Sequence, residues 1–209
     1  MNNALILQLR ERVTADMSPK RARHTLAVEQ MAARLSVLYC PEKEQMLRVA
    51  ALLHDVTKEW STERHAAFLK EHGTTPTAMD LAAPKTLHAK TAALLIPEQY
   101  PEYADDEVIS AVRYHTTGRE DMTLTEQIVY LADYIDDSRT FPDCVTLRNA
   151  FWGAAPENMT QEERKEHLTR VLVQSFDLTI AGLIEDGAPV SADTFLARNS
   201  LILKLKIEK

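Results

Sequence analysis

Six residues of two chemical types stand where apolar side chains are expected. His24 shares a stripe with Val28, Met31 and Leu35, and His54 shares one with Leu47 and Ala50, with Asp55 directly after it. His88 leads Ala92 and Leu95, His115 ends the stripe Val108, Val112, and Asp133 interrupts the apolar run IVYLADYI. An unpaired carboxylate taken out of water costs several kcal/mol or takes up a proton. Asp55 and Asp133 therefore demand a compensating charge or strong donors, and a metal ion supplies both. Each residue also has a plainer reading. A lone buried histidine is more often a hydrogen-bonded core residue than a ligand. Asp55 also suits a helix cap or a pair with Lys58, and Asp133 a salt bridge to an arginine. Imidazoles and carboxylates converging from separate helices are nonetheless how metal sites in helical bundles are built. Such donors, with no thiolate, suit iron, manganese or another first-row ion better than calcium or magnesium. His65 and His72 fall on a short polar helix and His167 in the charged stretch EERKEH, and none of the three is assigned a role.

The elements that must position these residues read as one helix after another. Leu5, Leu9 and Val13 recur at four-residue spacing. Ser18-Pro19 reads as an N-cap followed by proline at the first helical position, opening the helix of His24. Residues Pro41 to about Trp60 hold the most apolar stretch and predict a central buried helix carrying His54-Asp55. Ser61 caps the next helix and Gly73 suits its end. Residues 74–84 read as a looser connection. A helix from about Lys85 to Ile96 is expected to stop at Pro97, and another spans about Asp105 to His115, up to a Thr-Thr-Gly turn. Thr123 with Glu126, and Thr160 with Glu163, are capping boxes. The first opens the helix of Asp133; the second opens a long helix through Leu168, Leu172, Phe176 and Leu183, ending at Gly187. A last helix begins near Ser191. The expectation is a single all-α domain over 1–209, with a bundle core at about 18–140 and C-terminal helices at about 141–209.

Composition agrees. The 209 residues include only five glycines and 6% aromatics, which disfavours a sheet-rich fold. The formal net charge of −7, from 31 acidic and 24 basic residues without a basic run, disfavours a long nucleic acid as partner. A small phosphorylated ligand is still compatible, because a few local cations hold it inside an acidic protein. Cys40 and Cys144 read as buried apolar residues. The N-terminus has charges every few residues and no run is long enough to span a bilayer, so no membrane association and a cytoplasmic location are expected.

The order His24 … His54-Asp55 … Asp133 resembles the H…HD…D signature of the HD-domain metal-dependent phosphohydrolases, whose fold is an all-helical bundle. RARHT, ALLHDVTK, RYHTTGR, YLADYI followed by SRTFP, and DTFLARN resemble the successive motifs of the YqeK-type symmetrical bis(5'-nucleosyl)-tetraphosphatases, over about residues 18–206. The resemblance implies a di-iron enzyme that cleaves diadenosine tetraphosphate at its central anhydride to give two ADP. It implies His24, His54, Asp55 and Asp133 as primary metal ligands. His88 and His115 would serve a second ion, with Asp55 bridging. Lys58, Thr116, Arg139, Arg198 and Asn199 fall where that family contacts nucleotide. Two ions sharing Asp55 would lower the pKa of a bridging water, and the resulting hydroxide would attack phosphorus in line. Lys58 would help absorb charge on the equatorial oxygens. Arg21 and Arg119 are further candidates for phosphate or base contacts, with solvated surface charge as an equal alternative.

The chain departs from the family's usual sequence at Ala89, where glycine follows the third histidine. It departs again at Asp136-Asp137, where Glu-Pro is expected; that extra charge beside Arg139 counts against phosphate affinity there. Two rival functions stay open: an HD enzyme acting on another nucleotide, and a non-catalytic nucleotide sensor. The oligomeric state, a homodimer included, is also open.

Overall fold

The protein, as a computed structural model, is described over residues 3–207, which form eleven α-helices and no strand. These are α1 (Asn3–Thr14), α2 (Pro19–Tyr39), α3 (Glu44–Leu53), α4 (Thr62–Glu71), α5 (Ala78–Ala82), α6 (Leu87–Gln99), α7 (Asp106–Tyr114), α8 (Leu124–Ile135), α9 (Pro142–Gly153), α10 (Gln161–Glu185) and α11 (Ala192–Ile207). Local chemistry accounts for most of the starts. Ser18 Oγ accepts from the Arg21 N–H with Pro19 inside the first turn, and Ser61 accepts from the Arg64 N–H. Reciprocal capping boxes open α8 and α10 at Thr123/Glu126 and Thr160/Glu163. Each such cap contributes about 1 kcal/mol by satisfying donors that the helix itself leaves free.

α3 lies at the centre. Leu47 and every residue from Val49 to Leu53 are fully buried, against α2, α7, α8 and α1. One continuous core cluster runs from Ile6 in α1 to Leu201 in α11. α10 and α11 pack on each other, and α10 reaches back onto α9, α2 and α8. A buried ion cluster ties the first three helices together: the fully buried Glu29 accepts from Arg10 at 2.7 Å and also from Arg48. No helix among the described residues is long and apolar enough to cross a membrane.

The structure revises several expectations. The buried stripe of α1 is Ile6, Leu9 and Val13, and Leu5 is exposed. The central helix stops at Leu53, not near Trp60, and residues 54–60 form successive tight turns with Lys58 N donating to Asp55 O and Trp60 N to Thr57 O. In a continued α-helix, Asp55 would point about 100° away from His54. Leaving the helix lets both face inward. Residues 74–84 contain α5, opened by a capping box of Thr77 and Asp80. α6 runs through Pro97 to Gln99, because a proline in the last turn removes one backbone bond without ending the coil. α9, begun by Pro142, was not distinguished within the C-terminal helices.

Candidate metal centre

Each candidate ligand leaves a helix where its side chain can reach a common point. His24 lies in the second turn of α2, His88 in the first turn of α6 and Asp133 in the last turn of α8. His54 and His115 occupy the C-cap positions of α3 and α7. There each ring donates its Nδ1 hydrogen to the carbonyl three residues back, His54 to Ala51 at 2.5 Å and His115 to Val112 at 2.6 Å. A carbonyl only accepts, so Nδ1 carries a proton and Nε2 faces inward as the nitrogen free to ligate.

Asp55 joins two groups of donors through its two oxygens. Oδ2 lies 3.4 Å from His54 Nε2 and 3.7 Å from His24 Nε2. Oδ1 lies 3.2 Å from His88 Nε2 and 3.7 Å from His115 Nε2. Asp133 Oδ1 completes the first group, 2.9 Å from His24 Nε2 and 3.7 Å from His54 Nε2. In the second group His88 Nε2 and His115 Nε2 are 2.9 Å apart. Donors at ~2.1 Å from one ion stand about 3.0–3.4 Å from each other, and the separations here, 2.9–3.7 Å, bracket that range. His24 Nε2, His54 Nε2 and Asp55 Oδ1 are buried without a well-formed hydrogen bond, which inside a protein calls for another partner. Two overlapping triads, His24-His54-Asp133 and His54-Asp55-His115, are close enough to hold an ion. The residues therefore fit a metal, and the donor set is the imidazole–carboxylate mixture expected for a first-row ion.

The proton affinities of the two groups diverge. Burial pulls the His24 imidazole down, but Asp133 and Asp136 outweigh it and raise it to about 9. Burial dominates at His88 and pushes it down to about 3, with Lys58 adding to the effect and Asp55 opposing it; His115 is also lowered by burial. Burial pushes the Asp55 carboxyl up, yet His54, His115 and His88 hold it well below the usual range. Asp133 is held low against its burial by Arg139 and His24. Lys58 is lowered by burial, with Asp55 and Asp133 opposing.

A layer behind the candidate ligands fixes their orientation. Asp136 is fully buried, with Oδ2 3.3 Å from His24 Nδ1 and Oδ1 accepting from Ser138 N at 2.8 Å. A carboxylate behind a ligating imidazole orients it and raises its basicity. The negative charge at this position, expected to weaken phosphate binding, is thus shared among His24, Ser138 and Arg139, while Asp137 is exposed and pairs with Arg34. On the other side Thr57 Oγ1 donates to His88 O at 2.9 Å and meets Thr91 Oγ1 at 2.9 Å. His65 Nδ1 lies 2.8 Å from Thr91 Oγ1. Sequence reasoning gave His65 no role, whereas it is buried behind His88 and lowered to about 4, mainly by burial. Neither Asp136 nor His65 breaks an apolar run long enough to attract notice, though the polar Asp136 one residue past the apolar α8 was a usable signal.

Of the remaining sequence candidates, Lys58 Nζ lies 3.1 Å from His88 Nε2 and 3.9 Å from Asp55 Oδ1. Thr116 Oγ1 is 3.2 Å from His88 Nε2 and 3.1 Å from His115 Nε2. Arg21 pairs with Asp55 Oδ2, and Arg139 grips both the carboxylate and the main-chain oxygen of Asp133. Three candidates bond elsewhere or not at all with this group. Arg119 pairs with the buried Glu126 at 2.9 Å, Arg198 pairs with Asp177 on α10, and Asn199 is an exposed residue of α11. Ala89 is buried within α6.

Residues 21–137 match the family model described as the HD domain. A relative from Halalkalibacterium halodurans named "Bis(5'-nucleosyl)-tetraphosphatase, symmetrical" is 30% identical over 99% of this chain and 100% of its own length. A protein of the same name from Bacillus subtilis is 28% identical over 91% of this chain and 94% of its own. A crystal structure from Clostridium acetobutylicum, described as a predicted HD superfamily hydrolase involved in NAD metabolism, aligns with a TM-score of 0.78 and 31% identity. That alignment covers 94% of this chain and 96% of the other.

Proposed function

This chain belongs to the HD-domain family, and we propose that it is a metal-dependent symmetrical bis(5'-nucleosyl)-tetraphosphatase, hydrolysing diadenosine tetraphosphate at the central anhydride to two ADP. The full-length similarity to relatives of that name supports the substrate. The observation that carries the chemistry is the placement of Asp55, with one oxygen toward His24 and His54 and the other toward His88 and His115. His24, His54, Asp55 and Asp133 would hold one ion and His88 and His115, with Asp55 between, a second; iron and manganese suit these donors. Bound there, the ions would supply an acidified water and Lewis acidity toward phosphoryl oxygen.

The chain's own residues do the rest. Asp55, held ionised, fixes the distance between the two groups. Lys58 sits at the rim of the second group, 3.1 Å from His88 Nε2 and 3.9 Å from Asp55 Oδ1, where its ammonium meets a phosphoryl oxygen. Thr116 offers a hydroxyl beside His88 and His115 that donates to the same phosphate. Arg139, aligned by Asp133 and Asp136, presents its guanidinium on the opposite side. Because the leaving group is ADP, no protonating side chain is required.

Chromatography of the products formed by metal-replete protein tests this. ADP as essentially the only nucleotide is expected, and ATP plus AMP would overturn the symmetrical assignment. The description of the Clostridium acetobutylicum neighbour favours a second reading, an HD hydrolase of another dinucleotide. Turnover of a dinucleoside diphosphate in the same assay, with the tetraphosphate untouched, would establish it.

A further inference from the structure

The loop after His115 is held from behind by helices outside the residues that match the HD domain. Gly118 closes the end of α7 with its N–H donating to Tyr114 O at 2.8 Å and adopts φ +64°, a left-handed conformation that favours glycine. It is also the point of closest approach to the C-terminal helices. A Cβ at 118 would lie 2.7 Å from Phe176 Cζ on α10 and 2.8 Å from Ala197 Cβ on α11, distances that real carbon contacts do not show. Further along, Asp121 at φ +50° donates its N–H to Ser200 Oγ at 3.3 Å, and Lys204 lies 3.4 Å from its carboxylate. Thus α11 meets this loop at Ala197, Ser200 and Lys204, successive turns of one face.

What the loop presents on its other side is half of the candidate centre. His115 and Thr116 precede Gly118 by three and two residues, and both reach His88 Nε2. α7 sets the His115 backbone and, through Tyr114 O, holds one side of the turn that carries Thr116; the other side rests on α10 and α11 at Gly118.

We propose that the C-terminal helix pair α10–α11 positions the His115–Thr116 half of the site, with Gly118 as the positioning residue through which it acts. This rests on the reading of those side chains as catalytic. A side chain at 118 would push the loop off α11 and displace His115 and Thr116 relative to His88, leaving His24, His54 and Asp133 where they are. A misplacement of about 1 Å at a reacting centre costs up to about 10²-fold in rate.

The test compares the wild type with Gly118→Ala, with the relief pair Phe176→Leu/Ala197→Gly, and with all three changes together. Long-range proton–nitrogen NMR of the histidine rings in metal-free protein reads the geometry, and kcat/KM on diadenosine tetraphosphate reads the consequence. In Gly118→Ala the His115 and His88 rings are expected to shift most, with a smaller change at His54 through its edge contact with His115, while that of His24 holds, and kcat/KM falls about 10–100-fold. Combining all three changes should move both readouts back toward wild type while lowering the melting temperature further, since Phe176→Leu empties core volume. A merely structural role for Gly118 cannot raise activity as stability falls. Ala197→Val presses on the same contact from α11 and should shift the same two rings, which keeps the test decisive if Gly118→Ala does not fold. Unmoved rings, all four rings moving alike, or no recovery in the combined variant would each overturn the proposal. A wild type inactive on the dinucleotide would instead sink the substrate assignment, and the ring shifts would still decide this one.

Discussion

The two sides of Asp55 use the same residue type to opposite ends. On one side His24 is flanked by two carboxylates and its affinity for a proton rises to about 9; on the other, His88 is dry, backed by threonines and faced by Lys58, and falls to about 3. What favours a proton on an imidazole also favours a metal cation beside it, so the carboxylate-rich side is the stronger cation holder. The side with Lys58 and Thr116 carries donors for an anion. One centre is thereby divided into a part suited to retaining metal and a part suited to sharing it with phosphate.

The change with the largest expected effect removes the division itself. Asp55→Asn leaves one oxygen acceptor where two are needed, and kcat should drop by about 10³-fold or more, several kcal/mol of transition-state stabilisation. Elemental analysis of the same sample should show both groups depleted. Normal metal content with normal turnover would dissolve the comparison.

Next comes Asp133→Asn, which touches only the carboxylate-rich side. Activity should fall by about 10²-fold or more, while the metal-free protein should melt only modestly lower, because the mutation removes the carboxylate that Arg139 and His24 hold ionised. Arg139 retains Asp136 at 3.3 Å and the Asp133 main-chain oxygen. Stabilisation by added metal should be lost. A large drop in the chelated melting temperature with activity retained would make Asp133 structural.

Asp136→Asn sharpens the comparison from behind. It takes the charge from the orienting layer and should weaken metal affinity or activity by about 10–100-fold, with no change in the ligands themselves. Metal titrations of variant and wild type measure it, and equal affinities would reduce Asp136 to a turn residue.

The smallest effect on activity is expected behind His88. His65→Gln should alter turnover by less than about threefold, since Gln retains a partner for Thr91. Its signature is in stability against pH. His65 is lowered to about 4 in the folded chain and titrates near 6.5 when unfolded. Between those values the unfolded state binds more protons, so its contribution is complete above pH 6.5 and is lost as pH falls toward 4. Urea unfolding of the chelated proteins should show the wild type losing about 2–3 kcal/mol more than the variant across that window. Parallel curves would mean that His65 is not held neutral by the fold.

The helices and the six inward residues were legible because each polar group interrupted an apolar stripe at helical spacing. Caps at Ser18, Ser61, Thr123 and Thr160 announced their helices for the same local reason. Most of the missed features arise from tertiary contacts. The end of α3 at Leu53 goes with the inward facing of Asp55, whereas α6 passes Pro97 for the local reason that a proline in the last turn removes one backbone bond without ending the coil. Asp136 read as excess charge, since its partner His24 is 112 residues away in the chain. Arg119 and Arg198 look like phosphate ligands in a motif, but Glu126 and Asp177 take their guanidinium groups.

The backbone carbonyls behind His54 and His115 bear on how the cleft is approached. Each ring is tied through Nδ1 to its own helix, so Nε2 already faces the cleft. Neither ring has to turn or exchange its Nδ1 proton to present Nε2 to the cleft, so the two helix ends set in advance the direction from which His54 and His115 are approached.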